Sequence, residues 1–295
     1  MSLDLIRLCT LGAMPALPQG WWVAWSLSPA MLLPLLALAF HALRPTARAG
    51  LPEGSARRWR LAGLALLALA LLSPLCRLAA TLAGAHMVQL MVLVAGCALL
   101  ALGWTPPRHD ARMALPLAAA LHGGLLWLWH LPAVYAATLT SGAVHWAATA
   151  ALVAASFVFF HRAVHAPADR RGAALLAVLA TLAHTGLLGA LLTFAGQPLY
   201  ALQAPGARAW GLDPLTDQQI AGLVMWVPGG LGYMALALGL ALHWAAQGDH
   251  DRRQRRRASP RRTPWPPPAD AACPFRDSGR PWARRLAAQL RSQIQ

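Results

Sequence analysis

The side chains best suited to chemistry in this sequence are histidines placed at matching points of long apolar stretches. His86 opens one such stretch, His130 closes another and His145 opens a third. Imidazole is a good ligand for copper, zinc and iron. Sulfur is close by. Met87 and Met91 stand at i, i+4 and so share a helix face, and Met225 lies in the first part of the last apolar stretch. A mixed imidazole and thioether set suits Cu(I), a soft ion. Two further histidines, His122 and His184, fall near the middle of their stretches. Imidazoles on separate helices at equal depth could ligate a haem b axially, or bond each other or Thr181 and Thr185. The plain alternatives are a polar ring meeting lipid headgroups and methionines acting as apolar filler. Spacing leaves these readings open.

The elements that must position these residues are membrane helices. The chain has 295 residues, of which 57% are hydrophobic and 12% charged, roughly half the charged fraction of a soluble domain. A spanning helix needs about 17–25 mostly apolar residues. Seven stretches qualify: 21–43, 59–76, 86–104, 113–131, 142–160, 172–195 and 219–244. The expected fold is therefore all-α, a polytopic membrane helix bundle with seven transmembrane helices. Its expected divisions are an outer N-terminal segment (1–20), the transmembrane domain (21–244) and a basic, Pro-rich tail (245–295). The second stretch is the weakest, with Arg60 at its edge placed to snorkel to headgroups. The first seventeen residues lack the basic start and small-residue site of a cleavable signal.

The net charge of +15 comes from 25 arginines and no lysine. With the C-terminus inside, twenty-two of those arginines fall on one side and only Arg7, Arg77 and Arg208 on the other. That asymmetry predicts N-out, C-in, and puts His86, His130 and His145 together at the outer interface. His41, His161, His165 and His243 fall at the inner one, with His109 and His250 in inner segments. The tail composition is expected to be largely disordered, with a short surface helix around Trp282, Leu286, Leu290 and Ile294. No nucleic-acid-binding pattern accompanies its charge. Four scattered cysteines give no expected disulfide framework and no zinc site.

The apolar stretches hold no carboxylate, which argues against an ion-coupled transporter. No nucleophile–base pair or carboxylate dyad points to catalysis, so no enzyme is expected. In the last outer loop, Thr216 and Gln219 read as a capping box for the seventh helix, with Asp217 at its positive end. Asp217 and Gln218 are thus expected either to cap that helix or to line an outer site. Pro228, beside Gly229, Gly230 and Gly232, is expected to kink or loosen it.

Three motifs in order resemble the CtaG family of cytochrome c oxidase assembly factors, which are multi-pass bacterial membrane proteins. They are His86-Met87-Val88-Gln89, Trp129-His130-Leu131-Pro132-Ala133-Val134-Tyr135, and Asp217-Gln218-Gln219 running on to Met225-Trp226-Val227-Pro228-Gly229. The resemblance implies a place in the bacterial inner membrane, a cytochrome c oxidase subunit as partner and a role in respiratory-chain biogenesis. It further implies a copper metallochaperone acting on the outer side. His86, His130, Tyr135, Asp217, Gln218, Gln219 and Met225 are the positions it carries over. One departure stands out: the family pattern continues to a second histidine where this chain has Leu90, so either His145, His122, Met87 or Met91 substitutes or the chain binds metal weakly or not at all. A haem- or quinol-binding protein and a metal-independent assembly scaffold are the alternatives.

Overall fold

The computed structural model describes residues 9–11, 16–23, 25–44, 53–104 and 114–258, and among them there are helices and turns but no strand. In chain order the helices are α1 (Pro29–Leu43), α2 (Glu53–Leu72), α3 (Leu75–Thr81), α4 (Ala83–Gly103), α5 (Leu115–His130), α6 (Pro132–Thr140), α7 (Gly142–Val164), α8 (Arg171–Thr193), α9 (Ala204–Ala209) and α10 (Pro214–Ala258). The chain falls into two units, Met1–Ala245 and Ala246–Gln295. The contacts below belong to the first.

Among the described residues, four helices are long and apolar enough to cross a bilayer singly, namely α4, α7, α8 with its leading turn, and α10. Two bent pairs raise the count to six: α2 with α3 at 50°, and α5 with α6 at 79°. The difference from the expected seven lies in the first stretch. There a short 3-10 turn (Trp21–Val23) and extended residues precede a helix of only 15 residues, about 22 Å long against a hydrocarbon core of about 30 Å.

Both bends have local causes. Pro74 has no amide proton to continue the ladder, and the Ser73 hydroxyl bonds the Leu69 carbonyl while accepting from Leu75 N. Leu131 precedes Pro132, which disfavours helical backbone, and adopts φ −63°, ψ 129°. Leu82, at φ −126°, ψ 135°, separates α3 from α4. These breaks cluster at the end of the bundle where α4 and α7 begin and α5 ends.

Helices α2 and α4 approach through glycine. A Cβ on Gly63 would lie 2.7 Å from the Gly96 carbonyl oxygen, and one on Gly103 would lie 2.5 Å from that of Ala56. Arg60 does not snorkel. It is 1% exposed, lies against Gly103 and bonds Glu53 Oε1 at 2.6 Å, because the glycine leaves room for its stem and Glu53 supplies a countercharge two turns away. Pro228 leaves α10 unbroken, and the helix runs on past the expected end near 244 to Ala258, since Arg and Gln are good helix formers. The expected surface helix around Trp282 and the residue His109 lie outside the described residues.

The cysteines differ from expectation. Cys9 and Cys76 form a disulfide, with Cα atoms 5.4 Å apart, while Cys97 is a buried free thiol. Pairing across 67 residues leaves no local spacing signature, and it became possible only because the N-terminal segment folds back onto α3. That segment is further held by Leu11 N to the Leu139 carbonyl and by Ala16 N to Thr81 Oγ1. A variant with Cys97 and Cys273 replaced by Ser should take up no maleimide in denaturant until a reductant is added, and then two equivalents. Full labelling without reductant would contradict the bridge.

Candidate functional site

The first gap in the backbone hydrogen bonding is at the start of α4. Its N-cap position is Leu82, which has no side chain able to cap, so the leading amides need an acceptor from elsewhere. Asp217 of α10 provides it: Oδ2 accepts from Ala83 N at 2.7 Å and Oδ1 from Gly84 N at 3.0 Å. The carboxylate also sits at the positive end of α4. Two residues farther along α4 come His86 and Met87. Gln89 Nε2 then bonds the Ala70 carbonyl of α2 at 2.9 Å, fixing the rotation of the helix.

The C-terminal carbonyls of the broken helices hold the histidines. His130 Nδ1 donates to the Leu126 carbonyl at 2.5 Å. His86 lies by the main chain of Ala79, in the last turn of α3, and His145 by that of Thr138, in the last turn of α6. A carbonyl can only accept, so the His130 ring carries its proton on Nδ1. Its Nε2 is left with a bare lone pair. In metal sites, such backbone contacts fix the ligand tautomer.

The three rings belong to one place. His86, His130 and His145 line a single cavity of about 50 Å³, walled by Leu90, Leu93, Leu126 and Leu152 and bordered by Gln89, Trp129 and Thr149. His130 Nε2 lies 3.2 Å from Met87 Sδ. Neither atom has a proton to share once Nδ1 holds that of the imidazole, so two lone pairs face each other. Ligands at about 2.0 and 2.3 Å from one ion stand about 3.3–4.3 Å apart for angles between ~100° and linear, so this pair is close to a coordinating separation. His145 Nε2 is buried with no hydrogen-bond partner. Among the described residues, no three His, Cys, Asp or Glu side chains are grouped closely enough to hold an ion as they stand; Met87 and small ring movements would have to complete a set.

A second layer holds this one. Tyr135 donates to Gln203 Oε1 at 2.8 Å and stacks on Tyr200 with ring centroids 3.9 Å apart; its ring also lies 4.8 Å from that of His86. Gln203 Nε2 donates to the Ala79 carbonyl at 2.8 Å, the same residue that orients His86. Tyr200 donates to the His130 carbonyl at 3.2 Å, and burial raises its phenol above the ordinary range. Gln218 Oε1 accepts from Leu199 N at 2.5 Å, and its Nε2 reaches the carbonyls of Leu192 and Gln197. These bonds pin the loop that carries Tyr200 and Gln203.

Other expected residues lie elsewhere. Met91 Sδ packs where a Cβ on Gly229 would be, 2.7 Å away, and does not line the histidine cavity. Met225 is buried in the core and Gln219 is half-buried. His122 has both nitrogens occupied, Nε2 by the Tyr233 hydroxyl at 2.8 Å and Nδ1 by Ser156 Oγ at 3.1 Å, which leaves none for a haem iron. His184 accepts from Trp127 Nε1 at 3.3 Å and lies against Gly123. On the opposite side, His165 Nε2 donates to the Ala101 carbonyl at 3.1 Å, and burial lowers its basicity. The expected capping box is not formed. The helix begins at Pro214, so Thr216 and Gln219 are already inside it, and Asp213 Oδ2 accepts from Leu215 N instead. The sequence reading missed Tyr200, Gln203, Trp129 and Thr138 as site residues.

A family model described as cytochrome c oxidase caa3 assembly factor (Caa3_CtaG) matches residues 35–247. No curated protein and no solved structure matches the chain significantly.

Replacing Asp217 by Ala strands the buried amides of Ala83 and Gly84. The expected loss is about 1–2 kcal/mol of stability, measured by unfolding in detergent, with Asp217→Asn losing less. An unchanged unfolding midpoint in Asp217→Ala would contradict the cap.

Proposed function

Since the chain belongs to the cytochrome c oxidase caa3 assembly factors, we propose that it serves oxidase assembly by binding Cu(I) between α4, α5 and α7 and passing it to an oxidase subunit. The observation that carries this reading is the convergence of carbonyl-held imidazoles on one cavity beside a thioether. His130 and Met87 would supply the first pair of donors. His145, with its unpartnered Nε2, and His86 would complete the set. Leu90, at the place of the family's second histidine, lines the same cavity as an apolar wall, so His145 and Met87 are the substitutes in reach. Neutral nitrogen and thioether donors favour Cu(I) over harder cations and bind it without the permanence of a thiolate cage.

The orientation that suits this role has the cavity on the outer side of the bacterial inner membrane. Two independent features support it. The arginines bias the opposite ends of the helices to the cytoplasm. The Cys9–Cys76 bridge, at the same end as the cavity, belongs to an oxidising compartment. An N-out, C-in chain crosses an odd number of times, so this orientation requires one crossing beyond six, for which α1 is the candidate. The function is transfer, with no bond made or broken in a substrate, so the chain is read as a chaperone and not an enzyme.

Purified protein titrated with Cu(I) against a chromophoric chelator should bind about one ion. The variant His86→Ala with His130→Ala should bind none while unfolding at a similar temperature. Cells carrying that variant should form less active oxidase, and added copper should restore part of it. Unchanged copper stoichiometry would remove the site; full oxidase assembly by a copper-dead variant would make the chain a metal-independent scaffold.

A further inference from the structure

The histidine cavity has three properties that a bare cation does not explain. First, its volume of about 50 Å³ exceeds what one water-sized occupant needs, about 10–15 Å³ on the same measure. Second, the donors around it are neutral and no carboxylate lines it; Asp217 is committed to the amides of Ala83 and Gly84. A monovalent cation held there would be a buried charge with no countercharge, which a low-dielectric site strongly disfavours. Third, Trp129 lines the cavity, and its Nε1 is buried with no hydrogen-bond partner. An indole N–H can only donate, so it cannot ligate a metal and requires an acceptor.

We propose that the cavity takes the ion together with a small soft monoanion, which binds the metal on one side and accepts a hydrogen bond from Trp129 Nε1 on the other. This rests on the Cu(I) reading of the same cavity. The anion neutralises the ion, fills the spare volume and satisfies the orphan donor at once. Halide and thiolate share the required chemistry: one negative charge, a polarizable donor atom and a lone pair left over for the indole. A free halide would make the site a resting store. A cysteine thiolate offered by a donor or client protein would make Trp129 the group that receives the incoming ligand during transfer. Ligand exchange at that position needs no rearrangement of the histidines.

The test is X-ray absorption at the copper edge on the Cu(I)-loaded full chain in bromide buffer, beside the Trp129→Phe variant. The expected result is one copper–bromide path in the wild type and none in the variant, both still holding copper. Chelator competition should show the variant binding Cu(I) about tenfold more weakly in bromide, the size expected for losing one hydrogen bond to a charged acceptor. In a non-coordinating anion the two proteins should bind alike. Adding a small thiol then distinguishes the sources: replacement of bromine by a second sulfur supports a client thiolate, and persistence of bromine supports a stored halide. Copper bound with no bromine, and with affinity indifferent to the anion and to Trp129, would overturn the proposal and leave the metal site standing. A wild type that binds no copper would overturn both.

Discussion

A backbone carbonyl or amide that loses its helical partner inside a bilayer has no water to turn to, and the candidate site is organised around that constraint. Helices α3, α5 and α6 each stop within the region where the helices gather, leaving carbonyls at their ends. Imidazole rings stand beside two of them, His86 by Ala79 and His145 by Thr138, while the His130 ring shares the Leu126 carbonyl one turn back in its own helix. The same contacts that satisfy the backbone also decide which ring nitrogen keeps a lone pair. At the other polarity, the uncapped start of α4 takes a carboxylate from α10. Breaking a helix in an apolar medium is costly, and here each break is matched to a side chain that the site needs.

This arrangement explains why the surrounding motif residues are mostly polar without being ligands. Tyr135, Tyr200 and Gln203 form a chain of bonds leading back to Ala79 and to the His130 carbonyl. Gln218 fixes the loop on which two of them ride. The apolar wall, including Leu90 and Leu126, gives the cavity low-dielectric sides, which strengthens the electrostatic interactions inside it. Away from the site, the glycine contacts between α2 and α4 set how closely α4 can lie against its neighbour, and so where His86 and Met87 stand.

Much of this was legible in the sequence. Apolar length located α4, α7, α8 and α10, and equal helical depth grouped His86, His130 and His145 correctly at one end. The apolar stretch 113–131 marked the end of α5. What could not be read were partnerships across long separations. Asp217 looked like a cap for its own helix because Thr216 and Gln219 imitate a capping box, yet it serves a helix 133 residues earlier in the chain. Cys9 and Cys76 carry no spacing signal. Trp129 stood in a motif with no role of its own, and its buried, partnerless nitrogen sets it apart. His122 and His184 shared a depth but not a partner, since depth says nothing of the direction in which a ring points.

The central claim is that the imidazoles lining the cavity offer it bare nitrogens, His130 because its Nδ1 is held by the Leu126 carbonyl and His145 because its Nε2 has no partner. Nitrogen-15 NMR of histidine-labelled protein in bilayers reads this directly, because protonated and bare ring nitrogens resonate far apart. The account predicts one of each for His86, His130 and His145, with only the bare nitrogens shifting when Cu(I) is added. Bare nitrogens that keep their positions under saturating Cu(I), or rings protonated on the cavity side, would contradict it.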